Sequence, residues 1–490
     1  MSGSAAWRRN TRDGLRKEAV AAFSARSTAR PRPPWPPSSA VAARCAARVR
    51  PRRSRRRDLR GACRDGPPRV PPPARGSGRR LRRSRRARRR SSPTNPRRRR
   101  RRTIRGSRGR LAWASPYGGR GNHLPGVGGP SLASLVVIPV PVRDDLRALE
   151  GYHSPQVDVA VRLNTNESPV PPPAAFRDAF AAAASQVNWH RYPDRTAREL
   201  RTAIGALHGV GPEQVFAANG SNEVLQTLLL TYAGPGRTVV TFEPTYQLHA
   251  HISRITGARV VEGERARDFS LDVSELRRVV AEAAPHVAFL CSPNNPTGLV
   301  EPPAVVHELL GIAPGLVVVD EAYGQFAPWS ALDLVDETRP LAVVRTFSKT
   351  WSMAAARLGY LVGPSWLVAE LDKVALPYHL DAVKQIAGIV AVRFVDDMED
   401  RVRLVVSERE RIAATLAELP VDVTPSGANF LLFRPTAVAG HTVWQELLER
   451  GVLVRDCSGW PRLAGCLRVT VGTPNENDIF LDALTEVLAR

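Results

Sequence analysis

Residues 341–349 read Leu-Ala-Val-Val-Arg-Thr-Phe-Ser-Lys, an apolar run that passes directly into polar residues. Apolar runs of the same kind recur along the chain, and they occupy residues 238–242, 287–291, 316–319, 341–345 and 359–362. Each run is apolar on both faces, which is typical of a strand in a parallel sheet that helices cover on both sides. Segments with helical periodicity alternate with the runs, at residues 223–232, 274–284 and 303–310. This alternation predicts an α/β fold with a doubly wound, mostly parallel sheet.

The residues that follow the predicted strands are polar. In sheets of this class the ligand lies beyond the carboxyl ends of the strands. The side chains at these ends should therefore converge on one crevice, which we expect to contain Tyr246, Asn295, Asp320, Tyr323 and Lys349.

Lys349 differs in its surroundings from the other lysines beyond residue 130. Lys373 and Lys384 lie in helical patterns that predict solvent-facing side chains, whereas Lys349 follows a predicted buried strand. A buried lysine tends to lose its proton, and the neutral amine attacks carbonyl groups. A lysine that forms a Schiff base, with a carboxylate such as Asp320 for a pyridinium nitrogen, meets the requirements of pyridoxal 5'-phosphate.

A candidate phosphate-binding element precedes the first predicted strand. The sequence Asn219-Gly220-Ser221-Asn222 stands before an apolar helix, whose N-terminal N–H groups and dipole attract a phosphate. Arg357, eight residues after Lys349, can add a fork of donors. Each feature alone also has a structural explanation, because an Asp at a strand end is often a cap and a buried Lys–Asp pair can be purely structural. Their order along one chain favours the cofactor site.

The charge of the chain is unevenly distributed. The whole chain has a formal net charge of +25, yet residues 1–130 contain 39 of its 71 basic residues and only 4 of its 46 acidic residues. The other 360 residues are net acidic and numerous enough for a large domain with a smaller second one. The overall basicity therefore does not indicate a nucleic-acid-binding body.

Residues 1–133 are rich in Arg and Pro and poor in aliphatic residues, so we expect a disordered extension. The chain has 67 arginines and four lysines, a bias that suggests GC-rich coding. This composition favours a spurious extension translated from non-coding sequence. A genuine disordered tail and an organelle transit peptide are the alternatives.

The cysteines and the hydropathy bear on the location of the protein. The five cysteines show no CxxC spacing, and no apolar stretch is long enough to predict a membrane span. Neither a disulfide framework nor a metal site is predicted, and the cytoplasm, a reducing compartment, is the expected location. We expect no membrane partner and no nucleic-acid partner.

Several motifs resemble those of the fold-type I pyridoxal-phosphate-dependent aminotransferases, and some resemble the histidinol-phosphate branch of that family. The likeness extends from about residue 143 to residue 490. The family motifs occupy residues 292–298, 319–323 and 346–349 with Arg357, and the branch motifs occupy residues 163–169, 191–194 and 454–456, followed by 467–472. The resemblance implies exchange of an amino group between histidinol phosphate and 2-oxoglutarate, in histidine biosynthesis, by a ping-pong mechanism.

The resemblance also implies a role for each matching residue. Lys349 would carry the cofactor and move the proton, Asp320 would pair with the ring N–H, and Tyr323 would bind the ring hydroxyl oxygen. Asn295 would bind the same oxygen, and Tyr246 would lie on the ring face. The phosphate would be bound by Gly220, Ser221, Asn222, Ser348 and Arg357. Tyr192 would reach the phosphate bound to a partner subunit, which implies a homodimer. The substrate-binding residues would be Arg468 for a carboxylate, Arg455 for the phosphate of histidinol phosphate, and Asn166 and Tyr152 in the pocket.

The sequence departs from the family pattern at Ser168, where Asn is usual, at Asn222, where Asp is common, and in the segment 457–460. The last departure leaves the amino acceptor open, with an aromatic amino acid aminotransferase or a phospho-amino-acid decarboxylase of the same fold as alternatives. A cofactor-sensing DNA-binding regulator is a remote alternative, because residues 1–130 show no periodic helices.

The implied organisation has three parts after the extension. Residues 134–180 would form an N-terminal arm and part of a small domain, residues 181–375 a large cofactor-binding domain, and residues 376–490 the small C-terminal α+β domain. In the small domain we expect a helix at residues 396–419 and strands at residues 429–434 and 467–471.

Overall fold

The computed structural model describes residues 140–147, 149–151 and 157–489. The predictions for residues 1–133 and for Tyr152 lie outside these ranges. Among the described residues, no helix is both long and apolar enough to cross a membrane.

The helices and strands follow one another in an alternating order over most of the described chain. The helices are α1 Ala174–Ala184, α2 Arg198–His208, α3 Ser221–Tyr232, α4 Leu248–Ile255, α5 Val273–Ala283, α6 Pro303–Ile312, α7 Ser365–Val374, α8 Ala382–Ala391, α9 Val395–Ala417, α10 Gly440–Glu449 and α11 Pro474–Leu488. The strands are β1 Val161–Arg162, β2 Val215–Ala218, β3 Thr238–Glu243, β4 Arg259–Glu264, β5 Val287–Cys291, β6 Leu316–Asp320, β7 Leu341–Thr346, β8 Gly359–Val362, β9 Val421–Val423, β10 Phe430–Pro435, β11 Val452–Leu453, β12 Arg455–Asp456 and β13 Leu467–Thr470.

A seven-stranded sheet has the order β2-β8-β7-β6-β5-β3-β4. Its strands pair in parallel from β4 to β7, whereas β8 runs antiparallel to both of its neighbours. Helices α3 and α7 pack on one face of the sheet, and α5 and α6 pack on the other. This arrangement confirms the predicted α/β fold with a mostly parallel sheet. The sequence does not predict the direction of β8, because burial on both faces is the same for either direction.

The ends of the strands agree closely with the apolar runs. The runs at 287–291 and 359–362 coincide with β5 and β8, and the other three are each extended by one polar residue. These extra residues are Glu243 in β3, Asp320 in β6 and Thr346 in β7. The polar residues that follow β3, β5, β6 and β7 therefore lie at one edge of the sheet, because these strands are parallel.

A second sheet of four antiparallel strands lies in the C-terminal part, in the order β12-β13-β10-β9. Helices α9, α10 and α11 share one apolar core with it, to which they contribute the fully buried Ile412, Leu447 and Phe480. Strand β1 pairs in parallel with β11, so residues 161–162 join the C-terminal part of the chain. Helix α8 packs in another core with α2 and β8. The domain limits at residues 180 and 375 remain a prediction.

Candidate active site

A cavity of about 430 Å³ opens at the carboxyl ends of β5, β6 and β7 and at the N-terminus of α3. The five residues expected to converge all line this cavity: Tyr246, Asn295, Asp320, Tyr323 and Lys349. The predicted residues Asn166, Ser221, Asn222, Ser348, Arg357 and Arg468 also line it. Its volume lies within the range of small-molecule and cofactor sites.

Lys349 follows β7 and directs its amine toward the segment after β1. Its Nζ donates to the carbonyl oxygen of Asn166 at 2.7 Å and to that of Thr165 at 3.3 Å. Loss of hydration around the ammonium, to which the positive charge of Arg468 adds, lowers the pKa of Lys349 to about 7. A substantial fraction of this amine is therefore neutral near pH 7 and can act as a nucleophile or a base.

Asn166 links the amine of Lys349 to the phenol of Tyr323. Its backbone has a φ of 54°, in the left-handed region that Asn adopts more readily than most residues. Its carbonyl accepts from Lys349, and its Nδ2 donates to the Oη of Tyr323 at 2.9 Å. Burial raises the pKa of Tyr323 to about 12, so its hydroxyl stays protonated and can donate a hydrogen bond into the cavity.

Asp320 ends β6 and is only 1% exposed. Its Oδ2 lies 2.9 Å from Nε2 of His249, and its Oδ1 accepts from the backbone N–H of Ala322 at 3.0 Å. The His249 ring stacks on Phe289 with a centroid distance of 4.5 Å, which fixes the plane of the imidazole. The carboxylate is therefore held in one orientation at the cavity by a histidine that the motifs of the sequence did not indicate.

Ser221, Asn222, Ser348 and Arg357 surround the N-terminus of α3. Arg357 donates from Nη1 to the Oγ of Ser348 at 3.3 Å. Gly220 precedes the helix with a φ of 83°, and a Cβ at that position would lie 2.9 Å from Nη2 of Arg357. The backbone is thus shaped for a close approach of donors, as a bound anion requires. The hydroxyl of Tyr246 donates to Oδ1 of Asn222 at 3.1 Å, which ties the aromatic ring to the same region.

Arg468 lies on β13 and reaches the cavity from the smaller sheet. Its Nη1 donates to Oδ1 of Asn295 at 2.5 Å, and its Nη2 donates to the carbonyl of Asn164 at 3.1 Å. Its Nε is buried without a hydrogen-bond partner among the described residues. A substrate carboxylate is a suitable partner for this guanidinium, because the two planar groups match in shape and charge.

Of the four predicted site residues that are not among the cavity lining, three are described by the structure. Arg455 is buried on β12, where its guanidinium carbon lies 5.7 Å from the ring centroid of Trp460. Tyr192 is 80% exposed and stacks on Tyr378 at a centroid distance of 4.5 Å. Gly220 directly precedes Ser221, which does line the cavity. The fourth, Tyr152, lies outside the described residues.

Sequence reasoning missed several residues of the site. Those that line the cavity are Asn164, Thr165, Glu167, Cys291, Ala322, Thr346, Ala354 and Ala355. Five of them lie within the motifs at residues 163–169, 319–323 and 346–349, and Cys291 directly precedes the motif at residues 292–298, so the motif ranges could have found these six. Lys384 also differs from the prediction, because its Nζ donates to Oδ1 of Asn219 at 2.7 Å and its side chain is only 27% exposed.

The residues fit pyridoxal 5'-phosphate by the chemistry of their donors. A Cβ at position 220 would lie 2.9 Å from Nη2 of Arg357, the amine of Lys349 is partly neutral, and the buried Asp320 lines the cavity with its carboxylate held by His249. A phosphate, an aldehyde and a pyridinium nitrogen each find a complementary group in this one cavity.

Comparisons with known proteins agree with the geometry. Residues 158–484 match the family model described as aminotransferase class I and II. A histidinol-phosphate aminotransferase of Streptomyces avermitilis is 46% identical over 361 residues, which are 71% of this chain and 96% of the relative. One from Corynebacterium diphtheriae is 40% identical over 366 residues, which are 73% of this chain and 99% of the relative.

A solved structure shows the same fold with a bound cofactor. The histidinol-phosphate aminotransferase of Sinorhizobium meliloti, in complex with pyridoxal-5'-phosphate, superposes with a TM-score of 0.62 at 25% identity. The match covers 68% of this chain and 91% of that one. Together with the cavity geometry, these likenesses establish that the chain belongs to the class I and II aminotransferases and, within them, to the histidinol-phosphate aminotransferase family.

Proposed function

We propose that this chain transfers an amino group reversibly from glutamate to imidazole-acetol phosphate, which yields 2-oxoglutarate and histidinol phosphate. The observation that carries the proposal is the Lys349 amine, whose pKa is lowered to about 7 in a cavity shared with Asp320. When bound, pyridoxal 5'-phosphate supplies an aldehyde for the amino group and a ring that withdraws electrons from the substrate Cα.

Lys349 acts as both nucleophile and proton carrier in this proposal. The neutral amine would hold the cofactor through its aldehyde group, with loss of water, and when free it would take up and return the proton at the substrate Cα. A positioned base of this kind contributes about 10²–10⁴-fold to the rate. The carbonyl of Asn166, at 2.7 Å from Nζ, keeps the displaced amine close to that path.

Asp320 and the α3 N-terminus hold the two ends of the cofactor. The carboxylate of Asp320, oriented by His249 at 2.9 Å, would stabilise a positive charge on the ring nitrogen. Ser221, Asn222 and Arg357 offer donors to the phosphate. Tyr323 and Asn295, which line the same cavity, would bind the ring oxygen, and Tyr246 would cover one face of the ring.

Two substrates without a common anion must use the cavity in turn, which implies ping-pong kinetics. Glutamate presents an α-carboxylate, which Arg468 binds. Histidinol phosphate lacks that carboxylate and presents a phosphate, which we assign to Arg455 on the strand beside Arg468. Asn166 and Tyr152 complete the pocket in this proposal.

We also propose that the working unit is a cytoplasmic homodimer. Tyr192, at 80% exposure, and Trp189, at 78% exposure, present aromatic surface to solvent near each other in sequence. Large exposed aromatic groups are typical of protein interfaces. In a dimer Tyr192 would reach the cofactor phosphate of the partner subunit, and sedimentation analysis of the holoenzyme tests the dimer directly.

The reaction is tested with the full chain loaded with pyridoxal 5'-phosphate. Histidinol phosphate and 2-oxoglutarate are supplied together, and the appearance of glutamate is followed by NMR. Separate reactions contain phenylalanine with 2-oxoglutarate, and threonine phosphate alone. We expect glutamate with histidinol phosphate at the highest kcat/KM. A higher kcat/KM with phenylalanine, or release of carbon dioxide from threonine phosphate, would replace the proposal with one of the alternatives.

A further inference from the structure

Thr470 is a polar residue of the motif at 467–472 that the proposed function does not use. It ends β13, is only 4% exposed, and is not among the residues that line the cavity. Its backbone N–H donates to the carbonyl of Leu163 at 2.9 Å, which fixes the end of β13 against the segment after β1. The hydroxyl of Thr470 can therefore influence the cavity only through a residue that lines it, and that residue is Asn166.

The hydroxyl of Thr470 makes two hydrogen bonds to Asn166. Its Oγ1 accepts from the backbone N–H of Asn166 at 2.9 Å, and its proton is donated to Oδ1 of the same residue at 3.1 Å. The acceptor of a hydroxyl proton in an amide side chain is the oxygen. The amide nitrogen of Asn166 therefore points away from Thr470, and its Nδ2 donates to the Oη of Tyr323 at 2.9 Å.

This orientation of the amide leaves the proton of Tyr323 free for a group in the cavity. The Oη of Tyr323 accepts from Asn166, and in the described part of the chain no hydrogen bond uses the phenolic proton. If the amide were reversed, its oxygen would face Tyr323 and take that proton, while the proton of Thr470 would lose this acceptor. The hydroxyl of Thr470 thus favours the one orientation in which Tyr323 is a donor.

We propose that Thr470 is a positioning residue, which fixes the amide of Asn166 and thereby keeps Tyr323 as a hydrogen-bond donor to the ring oxygen of the cofactor. The inference rests on the proposed function, because that function assigns the ring oxygen to Tyr323. The bond from the N–H of Asn166 to Thr470 also holds the left-handed backbone at Asn166, where φ is 54°.

A donor at the ring oxygen changes how the bound cofactor takes up protons. The oxygen is negatively charged when its proton is lost, and a hydrogen bond from Tyr323 stabilises that charge. Without this donor, the oxygen holds a proton on the neighbouring nitrogen, which links the cofactor to Lys349, more firmly. The pH at which the visible absorbance of the cofactor changes should then rise.

The charged and titratable groups that act on Tyr323 and Lys349 come from several elements. They are Arg468 on β13, Asp320 at the end of β6, Cys291 at the end of β5, Glu167 after β1, and Arg357. Thr470 is uncharged, so its substitution leaves all of these groups in place. A changed midpoint in a Thr470 variant would therefore report a changed hydrogen bond.

Two substitutions separate the hydroxyl of Thr470 from its bulk. Thr470→Val removes the hydroxyl but keeps a branched side chain of similar size, whereas Thr470→Ser keeps the hydroxyl. In the full-chain holoenzyme loaded with pyridoxal 5'-phosphate, a spectrophotometric pH titration should place the midpoint of Thr470→Val about one pH unit above that of the wild type. Thr470→Ser should match the wild type. Thr470→Ala is a second variant without the hydroxyl, should the Val variant fail to fold.

Thr350 provides a matched control for the exchange of a buried threonine for valine. It directly follows Lys349 and is 2% exposed, and its Oγ1 has no hydrogen-bond partner among the described residues. Thr350→Val should therefore leave the midpoint unchanged.

A double-mutant cycle tests whether the effect passes through the phenol. In a Tyr323→Phe background, Thr470→Val should cause no further shift, because the donor is already absent. An unshifted midpoint in Thr470→Val, equal shifts in the Val and Ser variants, or additive shifts in this cycle would overturn the inference. A wild-type chain that shows no absorbance from a covalently bound cofactor would instead refute the proposed function, and the inference with it.

Discussion

Lys349 and Asp320 line the same cavity, yet among the described residues no hydrogen bond or ion pair joins them. The amine of Lys349 donates to the carbonyl of Asn166 at 2.7 Å, and the carboxylate of Asp320 pairs with His249 at 2.9 Å. A carboxylate in contact with the amine would stabilise the ammonium and raise its pKa. Burial without a carboxylate in contact lets the amine lose its proton more easily. In the proposed function the acid would pair with a cationic ring nitrogen.

The pKa of Lys349 predicts how the capture of the cofactor depends on pH. Only the neutral amine attacks an aldehyde, so the rate at which the apoenzyme combines with pyridoxal 5'-phosphate should rise by about tenfold per pH unit well below pH 7 and level off above it. Stopped-flow absorbance measures this rate. In Arg468→Gln the loss of a nearby positive charge should shift the midpoint to higher pH, and an unshifted midpoint near pH 10 in both proteins would contradict the assignment.

We expect a substitution of Asp320 to slow the chemical step strongly. Asp320→Asn removes the negative charge opposite the ring nitrogen, and kcat should fall by about 10²–10³-fold. His249→Gln keeps a donor beside the carboxylate and serves as the matched control, with a smaller loss. Single-turnover kinetics with glutamate separate this step from product release. A kcat within about twofold of the wild type in Asp320→Asn would exclude the proposed role.

We expect Gly220→Ala to weaken cofactor binding by more than its effect on the backbone conformation explains. Gly220→Ala places a methyl group 2.9 Å from Nη2 of Arg357, at a φ of 83°. Gly209 has a φ of 71°, and no neighbouring atom lies within 4 Å of the place that an added methyl group would take, so Gly209→Ala is the control for backbone strain. Both variants should lose about 1 kcal/mol of stability. Fluorescence titration with pyridoxal 5'-phosphate should show weaker binding for Gly220→Ala only.

Substitutions of Arg468 and Arg455 in the smaller sheet should each raise KM for a different substrate. Arg468→Lys keeps the charge but loses the planar fork, and it should raise KM for glutamate by roughly 10- to 100-fold. Arg455→Ala should instead raise KM for histidinol phosphate far more than KM for glutamate. Steady-state kinetics with each substrate varied in turn measure both changes. Equal losses for both substrates in Arg455→Ala would move the phosphate site elsewhere.

The parts of the fold and the site that depend on local sequence could be predicted. Apolar runs located five of the seven strands of the large sheet to within one residue, but not β2 and β4. The polar residues after these runs include Asn295 and Lys349, because parallel strands bring their carboxyl ends together. The partnership of Asp320 with His249 could not be predicted, because it depends on how α4 packs over β5 and β6. The absence of Arg455 from the cavity lining likewise depends on tertiary packing, which places its guanidinium beside Trp460.

In the proposed function Lys349 is the amine that binds the cofactor covalently. The most direct test is reduction of the holoenzyme with sodium borohydride, followed by proteolysis and mass spectrometry of the peptides. The account predicts one stable adduct of the reduced cofactor, on Lys349, and none in Lys349→Ala. An adduct on Lys373 or Lys384, or an active holoenzyme that yields no adduct, would contradict it.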